Sequence, residues 1–327
     1  MFMRVLKALA TIVATCALLP CVSLAQDYPT KQPIQLVVGF PPGGPTDIVG
    51  RVIGEALSKQ LNQSVVVVNK GGAGGTVAAG FVAKQKPDGY TLMLDVESVK
   101  TRAPAIFKSL PFDPIKDFSP IAKMAKQRVL VVVNPSLPVN SVKELIAYAK
   151  ANPEKVNFSG TYAASSHIGG ALFNLLNGVN MTMVSYPGGA QPITDLIGGV
   201  VQVGFFTEST VAQHVKAGKL KALAIAANER SSQFPQLPTL KEAGAAAMDI
   251  SPWFALTAPA GTPQPIIDRL HAAAKAITED KAFSERLVTI GAVPIIGSTP
   301  DSYTKESIAD IAYWKKFVVD AKFPMAE

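Results

Sequence analysis

The stretch Val37-Val38-Gly39-Phe40-Pro41-Pro42-Gly43-Gly44-Pro45-Thr46-Asp47 joins an apolar segment to an amphipathic one through a loop of glycine and proline. The apolar run at residues 34–39 predicts a buried strand, and the helical spacing of apolar residues at 46–61 predicts a helix. Adjacent glycines let the backbone turn tightly and approach a ligand. The first N–H groups of a helix lack intrahelical acceptors and lie at its positive end. The turn is therefore predicted to bind an anion, either a carboxylate or a phosphate.

Two other interpretations of this turn were weighed from the residues alone. Gly39 and Gly44 have the spacing of a P-loop, but Pro45 occupies the position of the essential lysine, so a nucleoside triphosphate is not expected. A purely structural turn would use Thr46 or Asp47 as the helix N-cap. Such a cap is compatible with anion binding by the neighbouring N–H groups.

Residues 1–25 have the composition of a cleavable export signal. Arg4 and Lys7 precede an apolar run at residues 8–19, and Ser23-Leu24-Ala25 has the small-x-small form of a cleavage site. The apolar run is too short for a stable membrane anchor. We therefore expect cleavage near Ala25 and a mature protein in the periplasm.

Composition argues against several classes of chemistry. Both cysteines, Cys16 and Cys21, lie in the predicted leader, and His167, His214 and His271 are far apart in the sequence. Neither disulfides nor thiolate catalysis nor a metal site is therefore predicted. The formal charge of +7 comes without blocks of basic residues or interleaved aromatic residues. No nucleic-acid partner and no cofactor are expected.

Apolar strands alternate with helices along the whole chain, which predicts an α/β protein with parallel sheets covered on both faces. Loop-like segments at 108–120 and 231–238 separate two units of similar size. Long helices are predicted at 264–277 and 302–321, returning to the first unit. The predicted organisation is a signal peptide at 1–25, lobe 1 at 26–126 and 253–327, and lobe 2 at 127–252. A ligand site is expected in the cleft between the lobes.

Polar residues cluster between a predicted strand and helix of lobe 2. They are Thr161, Tyr162, Ser165, Ser166 and His167. Their hydroxyls could cap the helix or donate to a ligand carboxylate. A hydrolase using Ser165 or Ser166 with His167 is the alternative, but it lacks the G-x-S-x-G nucleophile elbow. A structural role for His167 is a further alternative.

Lobe 2 contains a second predicted strand–glycine–helix turn like the one at residues 37–47. Its sequence is Tyr186-Pro187-Gly188-Gly189-Ala190. Two such turns would hold one anionic ligand between two helix N-termini. The strand that ends at Thr207-Glu208 is predicted to open on the same cleft. Glu97 and Glu208 could meet a cationic ligand group there or face solvent.

These motifs resemble the extracytoplasmic solute receptors of tripartite tricarboxylate transporters, the Bug family. The matching segments are Tyr28-Pro29, Phe40-Pro41-Pro42-Gly43-Gly44 with Asp47 and Arg51, Gly72-Ala73-Gly74-Gly75, Pro87-Asp88-Gly89-Tyr90-Thr91-Leu92, Pro111-Phe112-Asp113-Pro114 with Lys116-Asp117-Phe118, Tyr186-Pro187-Gly188-Gly189-Ala190, Ala217-Gly218-Lys219-Leu220 and Ala258-Pro259-Ala260-Gly261-Thr262-Pro263. They span nearly the whole mature chain.

The resemblance implies a monomeric periplasmic binding protein, a two-lobe Venus flytrap of type II-like architecture, with no catalysis. Each lobe would be a mainly parallel sheet flanked by helices. Main-chain amides and waters would hold a small carboxylate, which is delivered to the membrane subunits of a transporter. The predicted ligand-binding residues are Phe40, Gly43, Gly44, Pro45, Thr46, Asp47, Ser98, Thr161, Tyr162, Ser165, Ser166, His167, Gly188, Gly189, Thr207 and Glu208.

Three segments depart from the family pattern, and all three are predicted to face the cleft. The third strand ends in Asp95-Val96-Glu97-Ser98 rather than a small polar turn, Tyr162-Ala163-Ala164 replaces glycines, and Thr207-Glu208 replaces an Asp-Asn-like pair. The carboxylate anchor is thus retained while the selectivity wall is altered. Tyr162 favours an aromatic carboxylate as an alternative to a di- or tricarboxylate. An exported sensor with the same fold is the alternative function.

Overall fold

The computed structural model describes residues 28–153, 155–161, 164–186, 190–321 and 323. The predicted signal peptide and its cleavage near Ala25 lie outside these residues. Of the predicted site, Tyr162, Gly188 and Gly189 also lie outside them.

The described residues form strands and helices in close alternation. The strands are β1 (Ile34–Val38), β2 (Val65–Asn69), β3 (Thr91–Val96), β4 (Phe118–Gln127), β5 (Val129–Val133), β6 (Asn157–Thr161), β7 (Thr182–Tyr186), β8 (Val203–Thr207), β9 (Lys221–Ile225), β10 (Trp253–Pro259) and β11 (Ala292–Pro294). The helices are α1 (Pro45–Leu61), α2 (Thr76–Val82), α3 (Ala103–Ile106), α4 (Val142–Ala151), α5 (Ser165–Asn177), α6 (Gln191–Ile197), α7 (Glu208–Lys216), α8 (Gln264–Glu279), α9 (Lys281–Thr289) and α10 (Pro300–Asp320). A π-helical turn, Ser98–Arg102, joins β3 to α3.

The strands assemble into two sheets, in the orders β11-β4-β10-β3-β1-β2 and β7-β6-β8-β5-β9. The predicted two-lobe α/β architecture is confirmed. Most strands of each sheet run the same way, as predicted, and the exceptions are β10 and β11 in the first sheet and β5 in the second. In the first, β1 pairs parallel with β2 and β3, whereas β10 runs antiparallel to β3 and β4. In the second, β5 runs antiparallel to β8 and β9.

The mixed pairing follows from how the chain passes between the lobes. Strand β4 continues into β5 through Arg128 alone, and β10 brings the chain back to the first sheet. Strand β5 enters the second sheet from lobe 1 and β10 enters the first from lobe 2, neither through a local crossover helix. Nothing therefore requires them to run parallel to their neighbours. We propose lobe boundaries at this passage, with 26–126 and 253–327 in lobe 1 and 127–252 in lobe 2.

Helix α10 packs against both lobes. Near its start, Tyr303 is buried beside Trp253 of the first sheet, with ring centroids 5.6 Å apart. Farther along, Trp314 and Phe317 join the apolar core of the second sheet, together with residues of α3. The helix therefore links the two lobes in addition to the strand passages. Among the described residues, no helix is both long and apolar enough to cross a bilayer.

Candidate functional site

The turn between β1 and α1 is called the anchor turn here and comprises residues 39–47. Helix α1 begins at Pro45, and its N-cap is Gly44, whose side-chain position offers no capping hydrogen bond. The expectation that Thr46 or Asp47 caps the helix is therefore wrong. Proline at the first helical position has no N–H to satisfy, so the cap falls on the residue before it. Gly43 has a φ of +79°, a conformation that favours glycine.

The carboxylate of Asp47 is turned into the protein. Its side chain is 3% exposed. It accepts hydrogen bonds from the Gly43 N–H at 2.9 Å, from Arg51 at 2.9 and 3.0 Å, and from Asn69 Nδ2 at 2.9 Å. Burial raises the pKa of the Asp47 carboxyl, but the hydrogen bonds from Arg51, Gly43 and Asn69 outweigh it and hold the pKa below its ordinary value. Asp47 therefore shapes the turn.

The same arrangement leaves main-chain donors available. No described residue accepts a hydrogen bond from the N–H of Thr46 or Asp47. Gly43 and Pro45 are exposed, and Thr46 is half-buried. Unpaired N–H groups at the positive end of a 17-residue helix suit a carboxylate.

Asn69, the last residue of β2, supports the anchor turn from the neighbouring strand. Its Nδ2 donates both to the Phe40 carbonyl and to Asp47 Oδ1, each at 2.9 Å. Phe40 itself is half-buried. Sequence reasoning missed Asn69. The available signal was a polar residue ending an otherwise all-valine strand, Val65–Asn69.

The second glycine loop lies directly beside the anchor turn. A Cβ on Gly39 would come within 2.9 Å of the Gly75 Cα, and Gly75 itself has a φ of +99°. A Cβ on Gly71 would lie 3.5 Å from the Pro41 ring. The two loops therefore form one continuous surface of small residues at the ends of β1 and β2.

In lobe 2, helix α5 begins at Ser165 after the N-cap Ala164, again without a side-chain cap. Ser166 Oγ accepts a hydrogen bond from the Thr161 N–H at 3.0 Å and closes the strand–helix turn. Ser165 Oγ accepts from Arg102 at 3.2 Å. Thr161 and Ser165 are half-buried and Ser166 is buried. The predicted cluster thus forms a built turn at the end of β6.

His167 lies on the inner side of α5. Its side chain is buried and stacks on Phe323, with ring centroids 4.4 Å apart. Burial lowers the pKa of the imidazole to about 4. The structure therefore gives His167 a packing position, as the structural alternative expected.

At the end of β8, Thr207 and Glu208 point in different directions. Thr207 is half-buried, and its Oγ1 lies within hydrogen-bond distance of the Ser209 and Thr210 hydroxyls. Glu208 is buried, its N–H donates to the Arg128 carbonyl at 2.8 Å, and burial raises the pKa of its carboxyl, against a hydrogen bond from Ser231. The Glu208 carboxyl is therefore not exposed to solvent, and it lies near Ser231 and Arg128.

The end of β3 also differs from the expectation. Asp95 accepts from the Tyr303 hydroxyl at 2.7 Å and lies 3.7 Å from Lys100, while Glu97 pairs with Arg102 at 3.2 Å. Both carboxylates are buried. Asp95 meets Tyr303 of α10 from within β3, whereas Glu97 lies just after the strand in helical backbone and faces Arg102. Both carboxylates are bound to internal partners, and Ser98 is half-buried beside them.

Two α/β lobes and uncapped helix N-termini on both of them define a protein that binds a solute. The family model "Tripartite tricarboxylate transporter family receptor" matches residues 49–321. The chain is 37% identical to Protein BugT of Bordetella pertussis over 94% of each chain. The chain belongs to this family, whose members are receptors and not enzymes.

Solved structures of similar proteins support the same family and fold. Rpa4515 of R. palustris, solved with adipate, has a TM-score of 0.83 and 32% identity, covering 92% of this chain and 100% of the other. MatC of Rhodopseudomonas palustris, solved with malate, has a TM-score of 0.78 and 31% identity, covering 88% and 99%. The predicted family, fold and receptor function are thus confirmed.

Proposed function

We propose that this protein binds a small carboxylate between its lobes and delivers it to the membrane subunits of a tripartite tricarboxylate transporter. The observation that carries the proposal is the anchor turn. Asp47 is fully occupied by internal donors, while the N–H groups of Thr46 and Asp47 have no acceptor among the described residues. An oxyanion placed there would satisfy both donors at the positive end of α1.

The roles of the predicted residues divide between contact and support. In lobe 1, the backbone of Gly43 to Asp47 contacts the ligand carboxylate, with Phe40 and Ser98 at its side. The Asp47 side chain supports the turn. In lobe 2, the contacts come from Thr161, Tyr162, Ser165, Ser166, Gly188, Gly189 and Thr207. His167 and Glu208 support these segments from behind, because both are buried.

Within this proposal, a dicarboxylate is the ligand class that best uses one helix N-terminus from each lobe. Each end of such a ligand would meet one positive helix end. The adipate and malate of the two solved relatives are both dicarboxylates, which supports this choice. An aromatic carboxylate packed on Tyr162 is the alternative.

Receptors of this family work in the periplasm. For this chain we propose export by the leader at residues 1–25, cleavage near Ala25 and a monomeric mature protein. Mass spectrometry of the exported protein would test the cleavage position, and light scattering would test the monomer.

Calorimetric titration of the mature protein with succinate, adipate, malate, citrate and benzoate tests the proposed function. The matched variants are Thr46→Glu and Thr46→Gln, which differ by one charge. A carboxylate in the first helical turn stabilises α1 through the helix dipole, so Thr46→Glu stays folded while it repels the ligand. We expect Thr46→Gln to bind and Thr46→Glu to lose binding at least 10-fold. Equal affinity of the two variants, or no binding to any carboxylate, would contradict the proposal.

A further inference from the structure

Arg102 lies at the point where three parts of the chain meet. It ends the π-helical turn after β3 and is 1% exposed. Its Nη1 lies 3.2 Å from Glu97 Oε1 and 3.2 Å from Ser165 Oγ. The guanidinium carbon lies 4.9 Å from the ring centroid of Trp314 on α10. A π-helical turn is an uncommon conformation that is frequent at functional sites.

The contact with Ser165 reaches the other lobe. Glu97 follows β3 of the first sheet, whereas Ser165 is the first residue of α5, which packs on the second sheet. Ser165 precedes Ser166, whose Oγ accepts from the Thr161 N–H. A displacement of Ser165 is therefore transmitted directly to the strand–helix turn that faces the ligand in the proposed function.

The buried Arg102–Glu97 ion pair contributes little to stability for the volume that it fills. A buried ion pair seldom stabilises a fold more than apolar residues of the same volume would. Arg102 Nε and Glu97 Oε2 also have no hydrogen-bond partner among the described residues. What the guanidinium provides is geometry, because the two N–H bonds of Nη1 are fixed in the guanidinium plane and hold Glu97 and Ser165 at once. An ammonium group offers no such fixed arrangement.

We propose that Arg102 is a positioning residue that fixes the first turn of α5 and so sets the lobe-2 wall of the ligand site. The inference rests on the proposed function and goes beyond it. Because the anchor turn in lobe 1 is untouched by Arg102, its loss changes which carboxylates fit more than whether a carboxylate binds. The quantity affected is the affinity ratio between short and long dicarboxylates.

The variants are chosen to separate positioning from stability. Arg102→Lys keeps a positive charge opposite Glu97 but loses the fixed planar arrangement, and is the deciding variant. Ser165→Ala removes the acceptor on α5 together with the hydroxyl that contacts the ligand in the proposed function. The double variant Arg102→Met/Glu97→Gln removes both charges, so that no unpaired charge stays buried. Arg286→Met is the matched control, because Arg286 is 61% exposed and pairs with the exposed Glu55.

Calorimetric titration of the mature protein with succinate and adipate measures the ratio. We expect the adipate-to-succinate affinity ratio to shift at least fivefold in Arg102→Lys, Ser165→Ala and the double variant, and to stay unchanged in Arg286→Met. An unchanged ratio in Arg102→Lys would overturn the proposal.

Amide exchange without ligand provides the second readout. The Ile168 N–H donates to the Ala164 carbonyl at 3.0 Å and closes the first turn of α5. Its exchange should be at least fivefold faster in Arg102→Lys than in wild type or Arg286→Met. If wild type binds no dicarboxylate, the proposed function fails and this exchange rate alone decides the role of Arg102. An unchanged rate would then overturn it.

Discussion

Two strands of the first sheet end in opposite ways. At the anchor turn after β1, the one carboxylate of the turn, that of Asp47, is turned inward, and the backbone N–H groups of Thr46 and Asp47 have no acceptor among the described residues. At the end of β3, in the junction formed by residues 95–102, two acidic and two basic side chains are buried in pairs. The first region offers donors to a ligand, and the second uses its charges within the protein.

The difference shows that the charged side chains support the fold, whereas backbone N–H groups are the donors offered to a ligand. Side-chain charge at the anchor turn serves as support, since Asp47 holds Gly43, Arg51 and Asn69. The junction can therefore vary in sequence without changing the backbone donors. The following predictions test that separation, beginning with the largest expected effect.

Breaking one pair at the junction should cost most. Lys100→Met leaves the Asp95 carboxylate buried without its cation, and we expect a loss of roughly 3–5 kcal/mol in the free energy of unfolding. The double variant Lys100→Met/Asp95→Asn should recover at least half of that loss, because no charge remains buried alone. Urea unfolding measures both. Lys281→Met, whose side chain is 90% exposed, serves as the control. Equal losses in the single and double variants would contradict the prediction.

Asn69→Leu should damage the anchor turn itself. It leaves the Phe40 carbonyl and Asp47 Oδ1 without their shared donor, so we expect a loss of about 2 kcal/mol in unfolding free energy. Carboxylates of every length should bind more weakly by the same factor, since the anchor is common to all. Titration with succinate and adipate measures this, and Asn228→Leu, at an exposed position of lobe 2, is the control. A changed affinity ratio would contradict the assignment.

Gly39→Ala should push the two glycine loops apart. The new Cβ would lie 2.9 Å from the Gly75 Cα, and overpacking of this kind costs about 2 kcal/mol. The control is Gly74→Ala, where no atom lies within 4 Å of the new Cβ and the φ of +65° alone costs about 1 kcal/mol. Thermal unfolding of the two variants measures the difference. A smaller loss in Gly39→Ala than in Gly74→Ala would show that the loops do not need their close approach.

His167 should make the protein less stable in acid. Its pKa is about 4 in the folded protein and about 6.5 when exposed, so the unfolded chain takes up a proton that the folded one refuses. The stability of wild type relative to His167→Phe should therefore fall as the pH drops from 6.5 to about 4, and stay constant above pH 7. Urea unfolding at stepped pH measures this difference. A constant difference across the whole range would show that the imidazole titrates normally.

Arg51→Met should have the smallest effect. Arg51 donates to the same Asp47 carboxylate as Asn69, but its side chain is 56% exposed. Water can replace it, so we expect a smaller loss of unfolding free energy than in Asn69→Leu and little change in carboxylate affinity. Comparing the urea midpoints of Arg51→Met and Asn69→Leu shows which of the two side chains stabilises the anchor turn more. A larger loss in Arg51→Met would reverse the ranking.

Local signals predicted most of the fold. Helix α1 was expected at 46–61 and spans Pro45–Leu61, because its apolar spacing and the proline at its start lie in one short segment. Strand β4 was missed. Pro120 lies inside it and argues against a strand, yet β10 pairs with it through irregular register. Lys123 is buried there because it pairs with Glu306, 183 residues away, which no local pattern reveals.

The candidate site divides in the same manner. The anchor turn was recognisable because its glycines, its proline and Asp47 lie within nine residues. The support from Asn69 was not, since it depends on the pairing of β1 with β2. The burial of the Glu97 and Glu208 carboxyls was not predicted, because packing by α10 and by the lobe passage is a tertiary effect. Tyr162, Gly188 and Gly189 stay predictions.

The place of β10 in the first sheet imposes an order on folding. This strand lies between β3 and β4 although it begins at Trp253, whereas β5 to β9 form a contiguous stretch of chain. A chain that emerges from its N-terminus can therefore complete the second sheet while the first still lacks its central strand. Until Trp253–Pro259 emerges, β3 and β4 expose unpaired edges that invite aggregation. A strand that appears late in synthesis therefore decides when the anchor turn near the start of the chain becomes stable.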